Sequence, residues 1–318
     1  MKVLIVSEHE VEELLTMQEC IGVMEEALAA LANGEVVNPL RHLVRGTTAP
    51  GILGLMPAWR GGSTPVYGLK EVCVFPGNPA RGLDTHLGAV LLHSGETGEL
   101  LAIVNAAAVT AIRTAAVSAV ATRLLAREDA SVLAILGGGV QARSHFEAIP
   151  LVRNINDVRV FSRRGATGAL ARHAVGSAEE AVRGADIVVT ATNSKEPVVR
   201  REWISEGAHI NAVGSSIASA RELDGATVAS ASLFVDRRES TVNESGDYLF
   251  ALREGAIGGP DHILAELGEL LTGRAEGRKS PGQITLFKSL GLAVEDLAAA
   301  AFLYDKARRL GRGVSVEF

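Results

Sequence analysis

The sequence predicts an α/β chain, with a Rossmann-type parallel sheet in its second half and an α+β unit ahead of it. Three observations carry that reading. From Ser131 onward, continuous apolar runs alternate with helical segments: SVLAILGGG, VQARSHFEAIP, DVRVFSR, SAEEAVRGA, ADIVVTAT, AHINAVGS and SLFVD. Runs of this kind belong to parallel strands covered on both faces. From Asn38 to Leu92 the apolar runs are instead short and punctuated by Gly and Pro, as in RHLVR, GILGLMPAW, YGLKEVCVF and HLGAVLLHS, which favours an antiparallel meander. Finally, 318 residues of which 47% are apolar exceed what one hydrophobic core serves, so two lobes are expected.

Taken in order, residues 2 to 6 read as a strand, and Ser7 with Glu10 as a capping box opening the first of two helices through Leu31. Asn33 and Gly34 end that pair. After the meander, SGETG at 94–98 is a hairpin turn, one more strand follows, and a long alanine-rich helix bears Arg113. Between the second strand of the Rossmann half and its next helix, the segment from Gly165 to Gly176 is short, so a helix is trimmed or missing there. After Asp236 come an acidic, Gly-rich stretch, a helix HILAELGELLTG, and QITLFKSLGLAVEDLAAAAFLYDKARRLG as a strand and a long closing helix.

Composition excludes several classes. A net charge of -6 with dispersed Lys and Arg, and only 4% aromatics, offers neither a phosphate-neutralising face nor a stacking platform for nucleic acid. Cys20 and Cys73 stand alone, without the spacing of a disulfide framework or zinc site, and read as buried apolar residues. The N-terminal apolar run of MKVLIVSEHE is too short for a signal peptide or membrane span, so the cytoplasm is expected.

Gly137, Gly139 and Ala142 form GxGxxA, with Gly138 inside it, directly after the strand Val132 to Leu136 and before a helix. The first Gly permits a tight turn, the second lets backbone approach a pyrophosphate, and the small third residue packs the helix on the sheet. This is a dinucleotide cradle. At the end of the second strand, where NAD users place an acid for the ribose 2'-OH, this chain has Ser162, Arg163 and Arg164. Two guanidiniums suit a 2'-phosphate, so NADP(H) is favoured with NAD(H) open, the alternative being two solvated surface arginines.

Lys70, Arg41 and Arg113 sit among apolar residues. A buried guanidinium needs an anion, from the protein or a ligand; a ligand carboxylate is the expectation, which together with a hydride cofactor describes a small amino or imino acid. His42, His86, His93 and His145 lack metal-site spacing, and no metal is expected. Glu295 and Asp296 open the last helix, where acids oppose the dipole, and are read as capping residues.

The strings RTAAVSAVAT, ILGGGVQARSHFEA, AHINAVGSS, FVDRRE, ESGD, ILAELGEL and FKSLGLAVED resemble the ornithine cyclodeaminase and mu-crystallin family from about Asn38 to Ala307. The resemblance implies a homodimer whose substrate and dimerisation domain comprises residues 1–112 with 290–318, around a Rossmann domain of residues 113–289. It also implies a pocket in the cleft between them. By position it makes Arg41, Lys70 and Arg113 the substrate cations, with Arg113 also toward the cofactor. It adds Thr85, His86, Val140, Gln141, Thr190, Thr192 and Val213 along the dinucleotide, and Leu290 at the nicotinamide. Two departures matter. Cyclodeaminases and the related archaeal alanine dehydrogenase carry Asp two residues after the Gly of AVG, where this chain has Ser216. Cyclodeaminases also carry Glu before LMP, where this chain has Gly54 in GILGLMP. The mu-crystallin, ketimine reductase type resembles this chain at both.

The sequence therefore predicts an NADPH-dependent reductase of small imino acids such as 1-pyrroline-2-carboxylate or 1-piperideine-2-carboxylate. Lys70 would hydrogen-bond the substrate and supply the proton, Arg41 and Arg113 would hold its carboxylate, and Ser216 would position its nitrogen or a water. The alternatives are a cyclodeaminase or alanine-type dehydrogenase, a reductive-condensation synthase, and a nucleotide-binding crystallin without turnover.

Overall fold

The structure is a computed structural model that describes residues 2–318, the Pro79 side chain excepted. Its elements run β1 (Lys2–Val6), α1 (Glu8–Leu14), α2 (Met17–Ala32), β2 (Val36–Val37), β3 (His42–Arg45), β4 (Ile52–Arg60), β5 (Val66–Val74), β6 (His86–Ser94), β7 (Leu100–Asn105) and α3 (Ala106–Leu125). Next come β8 (Val132–Leu136), α4 (Val140–Ala148), β9 (Asp157–Phe161), α5 (Ala178–Val182), β10 (Ile187–Thr190), β11 (His209–Ala212), α6 (Gly225–Ser230) and β12 (Ser232–Val235). The chain ends with α7 (Arg238–Glu244), α8 (Gly246–Arg253), β13 (Ile263–Glu266), α9 (Leu267–Leu271), β14 (Thr285–Lys288), α10 (Ala293–Leu310) and β15 (Val314–Glu317). Two compact units emerge: residues 1–113 with 292–318, and residues 114–291.

The first unit is built on a sheet of order β15-β1-β7-β6-β5-β4-β2, with β3 also on β4. The meander β4 to β7 is antiparallel throughout, and β1 pairs with β7 in parallel. One face is covered by α10, against which α2 packs in turn. Of the 18 residues of α10, Leu297 packs so tightly on β5 that a Cβ at Gly68 would lie 2.6 Å from its Cδ1. The two ends of the chain are tied inside this unit: β15 pairs with β1, the Gly313 amide donates to Glu10 Oε1 at 2.8 Å, and Lys306 Nζ meets Glu19 Oε1 at 2.6 Å. The expected capping box is present, the Ser7 amide donating to Glu10 Oε2 at 2.9 Å.

The second unit is a seven-stranded parallel sheet of order β13-β12-β14-β11-β10-β8-β9. Alternate residues of one strand enter different cores: Ala134 and Leu136 of β8 join one apolar cluster, Leu133 and Ile135 the other. That is why the strands read as continuous apolar runs. From β8 the chain moves to β9 on one side and then to β10 on the other, so the carboxyl ends of β8 and β10 border the crevice where such sheets take ligands.

Four expectations are corrected. The string HILAELGELLTG divides into strand β13 and the short helix α9, because residues 263–266 pair with β12. The stretch after Asp236 holds helices α7 and α8, the latter capped by Ser245, whose side chain accepts from the Tyr248 amide. Strand β15 was not foreseen. Cys73 is half-buried, whereas Cys20 is fully buried. The short segment between β9 and α5 does lack an α-helix and contains a 3-10 turn, Gly168–His173.

Candidate active site

In the second unit, β8 ends in a turn that only glycine fits at its first position. Gly137 has φ +136°, and a Cβ there would lie 2.4 Å from the Ala191 carbonyl oxygen. Gly139 is the N-cap of α4 and faces open space, with no side chain capping the first amides. Exposed N–H groups at the head of a nine-residue helix attract a phosphate. Val140 is exposed and Gln141 half-buried just behind them. A Cβ on Gly138 would meet Ser162 Oγ at 2.8 Å, so Ser162 stands over the glycine turn, and the exposed Arg163 and Arg164 follow it. The residues fit a dinucleotide, with no acid where β9 ends.

Thr190, Thr192 and Val213 end β10 and β11 around a buried carboxylate that sequence reasoning missed. Glu222 accepts from Thr190 Oγ1 at 2.8 Å, from the Thr192 amide at 2.6 Å and from the Gly214 amide at 2.7 Å. Burial raises its pKa, against the lowering pull of Lys288. Behind it Asp247 Oδ1 accepts the Glu222 and Leu223 amides, and Asp247 Oδ2 lies 2.9 Å from Lys288 Nζ. This network fixes the two loops beside the crevice. Ser216 is half-buried in the loop after β11. Leu290 is buried, its amide donating to Asp236 Oδ2 at 2.6 Å.

In the first unit, Lys70 lies on the buried face of β5, paired with Met56 of β4 and Val90 of β6. Arg41 lies one residue ahead of β3, whose His42 pairs with Leu55 of β4, and it is half-buried. Lys70 Nζ donates to Thr110 Oγ1 at 2.6 Å and to Asp296 Oδ1 at 2.9 Å. Arg113 Nε donates to the same Asp296 oxygen at 3.1 Å, and Arg113 Nη1 to Glu295 Oε2 at 2.7 Å. Both acids are fully buried. The capping assignment of Glu295 and Asp296 is thereby overturned: the Leu292–Val294 turn is held instead by Asn38, whose Oδ1 accepts the Val294 amide at 2.9 Å. Of the two anions the sequence left open for Arg113 and Lys70, the structure shows the protein's own carboxylates. Burial brings the Lys70 pKa down to about 8, Asp296 opposing that shift and Arg113 adding to it.

Thr85 is half-buried, and His86 opens β6 opposite Val74. Desolvation, and after it the Lys70 charge, lowers the His86 pKa. Gly54, in β4, is buried against Val72 and Leu43. Among the described residues, no group of three or more His, Cys, Asp and Glu is placed to hold a metal ion.

The model of the ornithine cyclodeaminase/mu-crystallin family matches residues 1–310. The chain belongs to that family. Within it, the chain is 40% identical over 290 residues to the ketimine reductase mu-crystallin of Mus musculus, covering 87% of this chain and 89% of the mouse protein. Among solved structures it is similar to the Thermococcus litoralis Delta(1)-pyrroline-2-carboxylate reductase in complex with NADH and L-proline. The identity is 38% and the TM-score 0.93, over 99% of this chain and all (100%) of that one. It is also similar to an archaeal alanine dehydrogenase dimer with bound NAD, at 35% identity and a TM-score of 0.91 over 100% of both chains.

Proposed function

We propose that this chain is an NAD(P)H-dependent reductase of small cyclic imino acids, with 1-pyrroline-2-carboxylate and 1-piperideine-2-carboxylate as the substrate class, NADPH as the preferred cofactor and a homodimer as the working form. The observation that carries the reading is Lys70, a buried ammonium held by Thr110 Oγ1 at 2.6 Å and Asp296 Oδ1 at 2.9 Å, whose burial lowers its pKa to about 8 and so eases loss of its proton. The names of the mouse and Thermococcus relatives support the substrate class. The dimeric archaeal neighbour supports the homodimer.

A bound nicotinamide supplies a hydride to the imine carbon. The chain's own residues do the rest. Lys70 hydrogen-bonds the imine nitrogen and passes it a proton, so that the product is the amino acid. Lys70 and Arg113 meet Glu295 and Asp296, and Arg41, half-buried just ahead of β3, is the cation we assign to the substrate carboxylate. Ser216, a hydroxyl in place of a carboxylate, orients the nitrogen or a water but offers no strong base, and the apolar surroundings of Gly54 offer no acid to a distal amine. Both disfavour cyclodeamination. Arg163 and Arg164 favour the 2'-phosphate of NADPH.

The test is consumption of NADPH and of NADH with each cyclic imine, run beside ammonia release from ornithine and from alanine. Turnover on the imines without ammonia supports the reductase. Ammonia from alanine with NAD would establish the alanine dehydrogenase reading instead, for which the archaeal neighbour speaks.

A further inference from the structure

Asp296 sits where a reductase needs control over its proton donor. It lies 226 residues from Lys70 in the chain, is fully buried, and its Oδ1 receives both Lys70 Nζ at 2.9 Å and Arg113 Nε at 3.1 Å. Thr110 Oγ1 accepts the other Lys70 bond while donating to the Ala106 carbonyl at 2.6 Å. An ammonium so placed has its direction set by two fixed acceptors, and its remaining N–H is left to point away from both. Asp296 Oδ2 is buried and has no hydrogen-bond partner among the described residues, while Oδ1 takes both cations.

We infer that Asp296 is a positioning residue for Lys70: it holds the ammonium in its charged form and aims it, while the bond from Arg113 Nε fixes the carboxylate in place. The inference rests on the reductase reading for its consequence and on geometry for its substance. The groups acting on Lys70 are Asp296 and Glu295 on α10 and Arg113 and the Thr110 hydroxyl on α3; His86 on β6 feels the Lys70 charge, and Cys20 on α2 feels the same three charged neighbours, Arg113, Glu295 and Asp296. The Cys20 thiol is held protonated by burial, its pKa pushed up to about 12. Of these, only Asp296 and Glu295 are anions, and only Asp296 touches Lys70. Without it, desolvation and Arg113 both act to lower the pKa of the ammonium unopposed except by Glu295.

The experiment follows Lys70 directly and then through turnover. In the full-length protein labelled with 13C- and 15N-lysine, the Lys70 side-chain resonances are titrated by NMR in wild type, Asp296→Asn, Asp296→Glu and Thr110→Val. The expected midpoint near 8 in wild type falls by at least about one pH unit in Asp296→Asn, a tenfold change in the proton equilibrium. It stays within about half a unit in Asp296→Glu and Thr110→Val on the same scale. In step, kcat for imine reduction in Asp296→Asn falls about tenfold above neutrality and recovers as the pH is lowered, with KM for the imine changed much less. An unmoved midpoint in Asp296→Asn, or an equal drop in Thr110→Val, overturns the inference. So does a loss of kcat that is the same at every pH, which would mark Asp296 as structural. Should Asp296→Asn fail to fold, Asp296→Ser is titrated in its place, with the same fall in the Lys70 midpoint expected and an unmoved midpoint overturning the inference. A shifted midpoint with no imine turnover in any form would leave the Lys70 and Asp296 pairing standing and refute the reductase reading alone.

Discussion

Arg113 Nη1 donates to Glu295 Oε2 at 2.7 Å, and their side chains are only 5% and 1% exposed. Breaking a buried pair by removing one partner leaves an uncompensated charge and costs about 3–5 kcal/mol. Glu295→Ala is therefore expected to destabilise the first unit by that amount in chemical denaturation. Glu295→Gln, which keeps an acceptor for the guanidinium, should cost clearly less. A Glu295→Ala protein as stable as wild type would mean that Arg113 is neutralised by Asp296 alone.

The glycine turn separates folding from cofactor binding. Gly137→Ala would place a methyl 2.4 Å from the Ala191 carbonyl at φ +136°, so the variant is expected to lose both melting temperature and NADPH affinity. Gly139→Ala meets no atom within 4 Å and should fold as wild type while binding NADPH at least about tenfold more weakly, roughly 1.4 kcal/mol. The decisive measurement is a thermal melt beside a fluorescence titration with NADPH. Equal melting losses in the two variants would contradict the assignment.

How much of this was legible in sequence depends on where each residue's partner lies. The strands of the second unit showed themselves because Leu133 and Leu136, one on each face of β8, both need an apolar neighbour. Residues 263–266 did not, since Ile-Leu-Ala-Glu followed by Leu-Gly-Glu-Leu-Leu is rich in helix formers apart from Gly268, and only pairing with β12 makes the first four a strand. The acidic, Gly-rich stretch after Asp236 hid α8, whose first residue, Gly246, lies so close to Ala220 that a Cβ there would sit 1.7 Å from its carbonyl oxygen. Lys70 and Arg113 stood out as cations among apolar residues. Their acids lie 182 to 226 residues further on, in a first helical turn where the dipole already accounts for acids. Glu222 carries no local signal at all, being recognisable only from the amides it collects.

If Arg163 and Arg164 hold the 2'-phosphate, the double Ala variant should raise the NADPH Michaelis constant by ten-fold or more, on the order of one to two charge-assisted hydrogen bonds. The NADH constant should hardly move. Both side chains are exposed at the end of β9, so stability should not change. Steady-state kinetics with both cofactors make the check, and equal effects would return the pair to the solvated surface.

A last prediction concerns acid. His145 is fully buried, with Nδ1 2.7 Å from the Gln141 carbonyl and Nε2 2.8 Å from Ser118 Oγ. The carbonyl only accepts, so Nδ1 carries the hydrogen and Nε2 takes the serine proton: the ring is neutral. Burial holds its pKa down to about 4, against an ordinary 6.5. The unfolded chain thus binds a proton that the native one refuses throughout that interval. Stability is fully present above pH 6.5 and is lost as the pH falls toward 4, by roughly 3 kcal/mol for this one ring. His209, also buried and held near 3, adds a loss of the same sign. Denaturation midpoints measured across this range should fall steeply in wild type and about half as steeply in His145→Gln. A slope unchanged by the substitution would place the acid sensitivity in His209 or in the carboxylates rather than in this ring.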